Sequence, residues 1–172
     1  MMEVKLPDGV KAEVKGDRLI VTGKLGSNTR KFNNVLLTLS AGQEKITIGH
    51  TTAKKLARKA ANAEKSFAKE VQNDIDGVAK HYERNMKTVY AHFPINVEVK
   101  DGVVRINNII GERVPRLSKV VGSTKIEVKG QNVRIYGTSL DDVTQTAANI
   151  RTACVMRKKD TRVFQDGLYF EV

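Results

Sequence analysis

Four basic side chains fall within six residues near one end of this 172-residue chain: Arg157, Lys158, Lys159 and Arg162. Asp160 is the one acid among them, and Arg151 precedes them. A guanidinium offers a planar fork of donors to phosphate oxygens, and an ammonium offers a compact point charge. A loop carrying both can follow a nucleic-acid backbone. The same spacing also suits a solvated face that balances the negative end of a helix dipole. A second basic group, Lys54, Lys55, Arg58 and Lys59, reads more simply as the outward side of an amphipathic helix.

Other chemistries find little material. His50, His81 and His92 lie far apart, and none has a second His or Cys at metal-ligand spacing. No metal site and no cofactor is expected. Cys154 falls on an apolar helical stripe, where a thiol is ordinarily buried and inert. Gly23-Lys24-Leu25-Gly26 is too short for a phosphate-binding loop. Carboxylates are scattered without visible pairing, so nothing argues for an enzyme or a small-molecule substrate. Aromatics make up 5 % of the chain, with no tryptophan. Tyr90, His92 and Phe93 lie in a strand-like apolar stretch, where core packing is the better reading for at least some. These features favour a reader of RNA shape and phosphate over a reader of single strands.

The whole composition agrees with the local clusters. Thirty Lys+Arg against nineteen Asp+Glu give a net charge of +11 and a pI near 9.8. A field of that sign gathers polyanions and weakens with salt. Nucleic acid is the first partner to consider and an anionic membrane the second. No apolar run approaches the roughly 18 residues that a membrane span needs. The opening residues MMEVKLPDGV lack the basic-then-apolar pattern of a secretory leader, and one cysteine forms no internal disulfide. A cytoplasmic protein is the expectation.

The elements that must hold these residues occur in two related sets. Lys11 to Gly23 reads KAEVKGDRLIVTG and Lys125 to Gly137 reads KIEVKGQNVRIYG, at a constant offset of 114. Six of the thirteen positions are identical, which points to two related domains. Each copy predicts a hairpin turning at Gly16 or Gly130, from its polar–apolar alternation. Gly23 to Thr29 reads as a loop, with further strands at 34–39 and 45–48. Thr51 or Thr52 could cap a long helix whose stripe runs Leu56, Ala60, Ala63, Phe67, Val71, Ile75, Val78. That helix should end or loosen near Gly77. Strands follow at 86–93, 95–100 and 103–106, with Asp101-Gly102 as a type I′ turn. No period is visible in Gly111 to Leu117. The second copy runs from its hairpin almost directly to Ser139, without the intervening strands of the first. Ser139 should cap a helix striped by Leu140, Val143, Ala147, Ile150 and Cys154. The expected fold is α+β: two duplicated small domains, 1–83 and 84–172, each an antiparallel-rich sheet packed against a helix.

Three segments carry a resemblance to a known family. VYAHFPINV (89–97), INNIIGER (106–113) and RVFQDGLY (162–169) resemble signatures of large-subunit ribosomal protein six in its archaeal and eukaryotic branch. The duplication and the length agree, so the resemblance covers essentially the whole chain. It implies a non-catalytic structural constituent of the large ribosomal subunit. Its partners would be large-subunit rRNA and neighbouring ribosomal proteins near the stalk base, with no membrane and no small-molecule substrate. It further implies that the C-terminal half docks near the sarcin-ricin loop and stalk base, where translational GTPases land. The candidate RNA contacts are then Arg151, Arg157, Lys158, Lys159 and Arg162. The competing readings are a basic RNA-processing enzyme and a stand-alone RNA-binding module.

Overall fold

The computed structural model describes residues 2–42, 45–50, 56–156, 159–160 and 162–171. Contacts divide it into two units, Met1–His81 and Tyr82–Val172. The first opens with β1 (Met2–Lys5) and the hairpin of β2 (Lys11–Lys15) and β3 (Arg18–Gly23). Next come β4 (Gly26–Lys31), β5 (Leu37–Ala41), β6 (Lys45–His50) and α1 (Ala57–Ala79). The strands form two antiparallel sheets, ordered β1-β6-β5 and β2-β3-β4. Helix α1 packs across them, placing Phe67, Val71, Ile75 and Val78 against Val4, Leu19, Val21, Ile46 and Ile48.

The second unit holds β7 (Tyr82–Val89), β8 (Asn96–Lys100), β9 (Val103–Asn107) and a short 3-10 turn at Ile109–Gly111. It continues with β10 (Arg116–Lys119), the hairpin of β11 (Lys125–Lys129) and β12 (Asn132–Gly137), α2 (Leu140–Cys154) and β13 (Gly167–Phe170). Its sheets are β10-β9-β8 and β11-β12-β7-β13. The core joins Met86, Ile106, Val133, Ile135, Val143, Ala147, Ile150 and Leu168. This is the expected α+β class, with two small sheets and one helix in each unit.

The duplication reaches beyond the hairpin. Lys11 faces Thr22 and Lys15 faces Arg18, just as Lys125 faces Tyr136 and Lys129 faces Asn132. Strand β3 sets Arg18 against Lys31 of β4, and β12 sets Asn132 against Lys87 of β7. Met2 faces Ile48, which faces Leu39; Arg116 faces Ile106, which faces Val97. Six strands therefore recur in one register, but in a different chain order. The counterparts of β4, β5 and β6 are β7, β8 and β9, which precede the second hairpin. The strands expected to be missing from the second copy are present upstream of it.

Polar pairing hid one strand from the sequence. Gly26–Lys31 is β4, where a loop was expected; only Lys24 and Leu25 turn the chain. Its inward residues are Asn28 and Arg30, so no apolar alternation marks it. Arg30 Nε donates to Asp74 Oδ2 (2.6 Å) and its Nη1 to Glu70 Oε2 (3.0 Å), while Asn28 Nδ2 donates to Asp74 Oδ1 (3.4 Å). Polar residues of α1 answer polar residues of the sheet. The helix passes through Gly77 and ends at Ala79. Gly23 sits so close to it that a Cβ there would lie 2.8 Å from Val78 Cγ2. Asp101 and Gly102 take φ values of 51° and 70°, the left-handed pair of a type I′ turn. Strand β7 runs earlier than the expected 86–93, because Glu83 and Asn85 pair with β12 and the chain leaves the sheet after Val89. The proposed caps Thr51 and Thr52, with Lys54 and Lys55, lie outside the described residues.

The Asp74 carboxylate is almost fully buried (side chain 3 % exposed) and the Glu70 carboxylate is 45 % exposed. Removing one partner of a buried pair costs more than removing an exposed one. Asp74→Ala should destabilise the first unit by about 3 kcal/mol, and Glu70→Ala by less than about 1 kcal/mol. Faster amide exchange in β3 and β4 for the first variant, with little change for the second, is the readout.

Candidate nucleic-acid interface

Helix α2 delivers the basic segment. Ser139 Oγ accepts from the Asp142 N–H (3.3 Å), capping the first turn, and Asp141 and Asp142 sit at the positive end of the dipole. Val143, Ala147, Ile150 and Cys154 are buried along the stripe. Arg151 stands on the outer side of the last turn. Its guanidinium carbon lies 5.8 Å from the Tyr169 ring centre and 5.6 Å from that of Phe170, within range of a cation–π attraction. Cys154 is buried, and burial pushes its thiol above the usual range, as suits an inert core residue.

One guanidinium fixes where the helix stops. Arg116 Nη1 donates to the carbonyls of Ala153 (2.9 Å) and Val155 (3.0 Å), answering acceptors that the end of α2 leaves open. Its Nε and Nη2 donate to Glu112 Oε2 (2.8 Å) and Oε1 (2.6 Å), a bidentate pair. The Arg116 hydrogen bonds hold the Glu112 carboxyl below its usual range, against a smaller opposing effect of burial. Arg116 was not singled out in the sequence, because GERVPRL shows no period. The Glu112–Arg116 spacing of four was the available signal.

A turn precedes β13. Asp160 organises it: its Oδ1 accepts from the Arg162 N–H (2.9 Å) and its carbonyl from the Phe164 N–H (2.9 Å). Gln165 Nε2 donates to the Arg162 carbonyl (3.3 Å). Asp166 is buried, and its Oδ1 accepts from the Ala91 N–H (2.9 Å), tying the turn to the end of β7. Lys159 Nζ lies 5.0 Å from the centre of Phe164, whose ring also meets His92 at 6.1 Å.

Of the five basic residues singled out, Arg151, Lys159 and Arg162 are exposed at this end of the second unit. Arg162 points into solvent, 92 % exposed, with Asp160 3.8 Å away. Arg157 and Lys158 lie outside the described residues. The aromatic reading needs correction. Tyr90, His92 and Phe93 are all exposed, since they follow β7 rather than continue it. Tyr169 and Phe170 are also exposed, at 39 % and 40 %. Aromatic faces therefore accompany the cations, which the sequence did not disclose. Arg58, Lys59, Lys65 and Lys69 lie exposed on α1, as a solvated helix face would.

Each unit carries fifteen of the thirty Lys and Arg, so total charge does not choose between them. Arrangement does. Arg30, Arg116 and Arg134 are each bound to carboxylates of their own unit. Arg151 and Lys159 have aromatic rings as their recorded neighbours. Among the described residues, no group of three or more His, Cys, Asp and Glu could hold a metal ion, and no helix is long and apolar enough to cross a membrane.

A carboxyl held low in the folded state contributes stability above its ordinary range and loses it as the pH falls through the folded value. The Glu112–Arg116 anchor should therefore hold at neutral pH and release as the pH falls below the usual carboxylate range. Amide exchange at Val155 and Met156 should accelerate there, after correction for intrinsic rates. Glu112→Gln should make that exchange fast at neutral pH and remove the step.

Comparison with known proteins gives a consistent result. A family model described as Ribosomal protein L6 matches residues 93–167. A "Large ribosomal subunit protein uL6" of Archaeoglobus fulgidus is 38 % identical over 173 aligned positions, covering 96 % of this chain and 86 % of that protein. Proteins of the same name from Methanocella arvoryzae and Natronomonas pharaonis are 54 % and 50 % identical over 48 residues. Those two matches each cover 28 % of this chain and 27 % of the relative's length.

Proposed function

The chain belongs to the ribosomal protein L6 family, and from that premise we propose that it is a structural constituent of the large ribosomal subunit rather than an enzyme. It works in the cytoplasm within the ribosome, with rRNA and neighbouring ribosomal proteins as partners. The C-terminal half is the main rRNA-binding half. Arg151, Arg157, Lys158, Lys159 and Arg162 are its phosphate contacts, and the docking place is near the sarcin-ricin loop and stalk base. There the protein would support the landing site of translational GTPases.

One observation carries the choice of surface: Arg151 lies over the exposed rings of Tyr169 and Phe170, and Lys159 over the half-buried ring of Phe164, beside a turn organised by Asp160. Guanidinium and ammonium groups kept off internal carboxylates remain available to phosphate, and hydrogen bonds to Asp160 order the turn that follows Lys159. Such contacts position a protein on RNA by charge and shape. Displacing condensed counterions makes the binding salt-dependent.

The protein should travel with large-subunit particles in a sucrose gradient. If Arg157, Lys158, Lys159 and Arg162 each neutralise one phosphate, the logarithm of affinity should fall against the logarithm of salt by roughly 3 from these alone. Changing all four to Ala should flatten that slope and release the RNA, with the circular-dichroism spectrum retained. An unchanged slope would move the RNA surface elsewhere, and a protein staying at the top of the gradient would remove the ribosomal reading.

A further inference from the structure

We infer that the hollow between the end of α2 and β13 is a receptacle for one extruded RNA base, an inference that rests on the rRNA-binding reading. The hollow has a volume of about 250 Å³. That is room for a single heterocycle and too little for a duplex edge. Met156, Phe164 and Tyr169 supply apolar and aromatic walls, and Arg151 stands at its rim. Lys159 sits over the ring of Phe164.

The charges are sorted in a way that selects a base over a phosphate. Arg151 is an exposed cation at the opening. Asp166, which also lines the hollow, is only 2 % exposed. Its Oδ1 accepts from the Ala91 N–H, and its Oδ2 has no hydrogen-bond partner among the described residues. A buried carboxylate oxygen without a donor is uncommon and calls for one. It would repel a phosphate placed beside it. It would accept from an amino or imino group on the edge of a base. The phosphates of the same nucleotide would stay outside, against Arg151 and Lys159. Single-stranded and bulged RNA is recognised by this combination of ring stacking, guanidinium contact and edge hydrogen bonding.

The test uses the full-length protein with two RNA hairpins of the same stem. One hairpin is fully paired, and the other carries a single bulged 2-aminopurine, which presents an amino group and reports stacking by quenching. The bulged hairpin should bind about tenfold more tightly, within what one aromatic contributes per stacked base. Its fluorescence should fall on binding. Phe164→Leu, which keeps an apolar wall but no ring, should erase most of that preference and the quenching. Tyr169→Leu should act alike from the other wall, so one poorly folded variant does not decide the result. Equal affinity for the two hairpins, or a preference untouched in both folded variants, would overturn the receptacle while leaving RNA binding in place. Failure to bind either hairpin would overturn the rRNA-binding reading itself.

Discussion

The C-terminal unit hangs its basic segment on one guanidinium. Arg116 belongs to the three-stranded sheet, yet it spends its donors on Glu112 and on two carbonyls at the end of α2. Those carbonyls would otherwise face water or a mobile last turn. By holding them, Arg116 fixes the point at which the helix stops. The opposite end of the segment is fixed by Asp166 on Ala91. Lys159 and Arg162 lie in sequence between these two anchors.

The two units share a framework but complete it differently. In the second, β13 lies along the outer edge of β7. Its counterpart in the first, β4, has β3 as its one recorded neighbour in the sheet. The extra strand does more than cover an edge, because Leu168 enters the core while Tyr169 and Phe170 present rings beside Arg151. The site therefore stands on the one strand for which the first unit has no equivalent.

Much of this was legible in the residues. Elements that bury an apolar face announced themselves: both repeated hairpins, both helical stripes, the Ser139 cap and the Asp101-Gly102 turn. Elements that answer polar groups with polar groups did not. Strand β4 was hidden because Asn28 and Arg30 point inward to Asp74, and β10 because Arg116 and Leu117 carry no recognisable period. The basic cluster was visible as spacing. Its aromatic company was not, because an apolar run such as VYAHF looks the same whether it continues in a sheet or leaves it. That distinction is made by Asp166, seventy-five positions away from Ala91. The permuted strand order was equally beyond reach, since the register matches join segments with little common sequence outside the hairpin.

That strand order also sets a sequence of events during synthesis. A chain emerges with its N-terminal end first, and domains fold as they appear. The first unit has every strand it needs before α1 is made. The second cannot finish. Its four-stranded sheet waits for Gly167–Phe170, synthesised after everything that strand packs on. Until then Val133, Ile135 and Met86 have their sheet without the strand that closes it, and Arg151 of α2 lacks the rings of Tyr169 and Phe170. A partly made chain thus presents a folded first unit before the second unit has its fourth sheet strand.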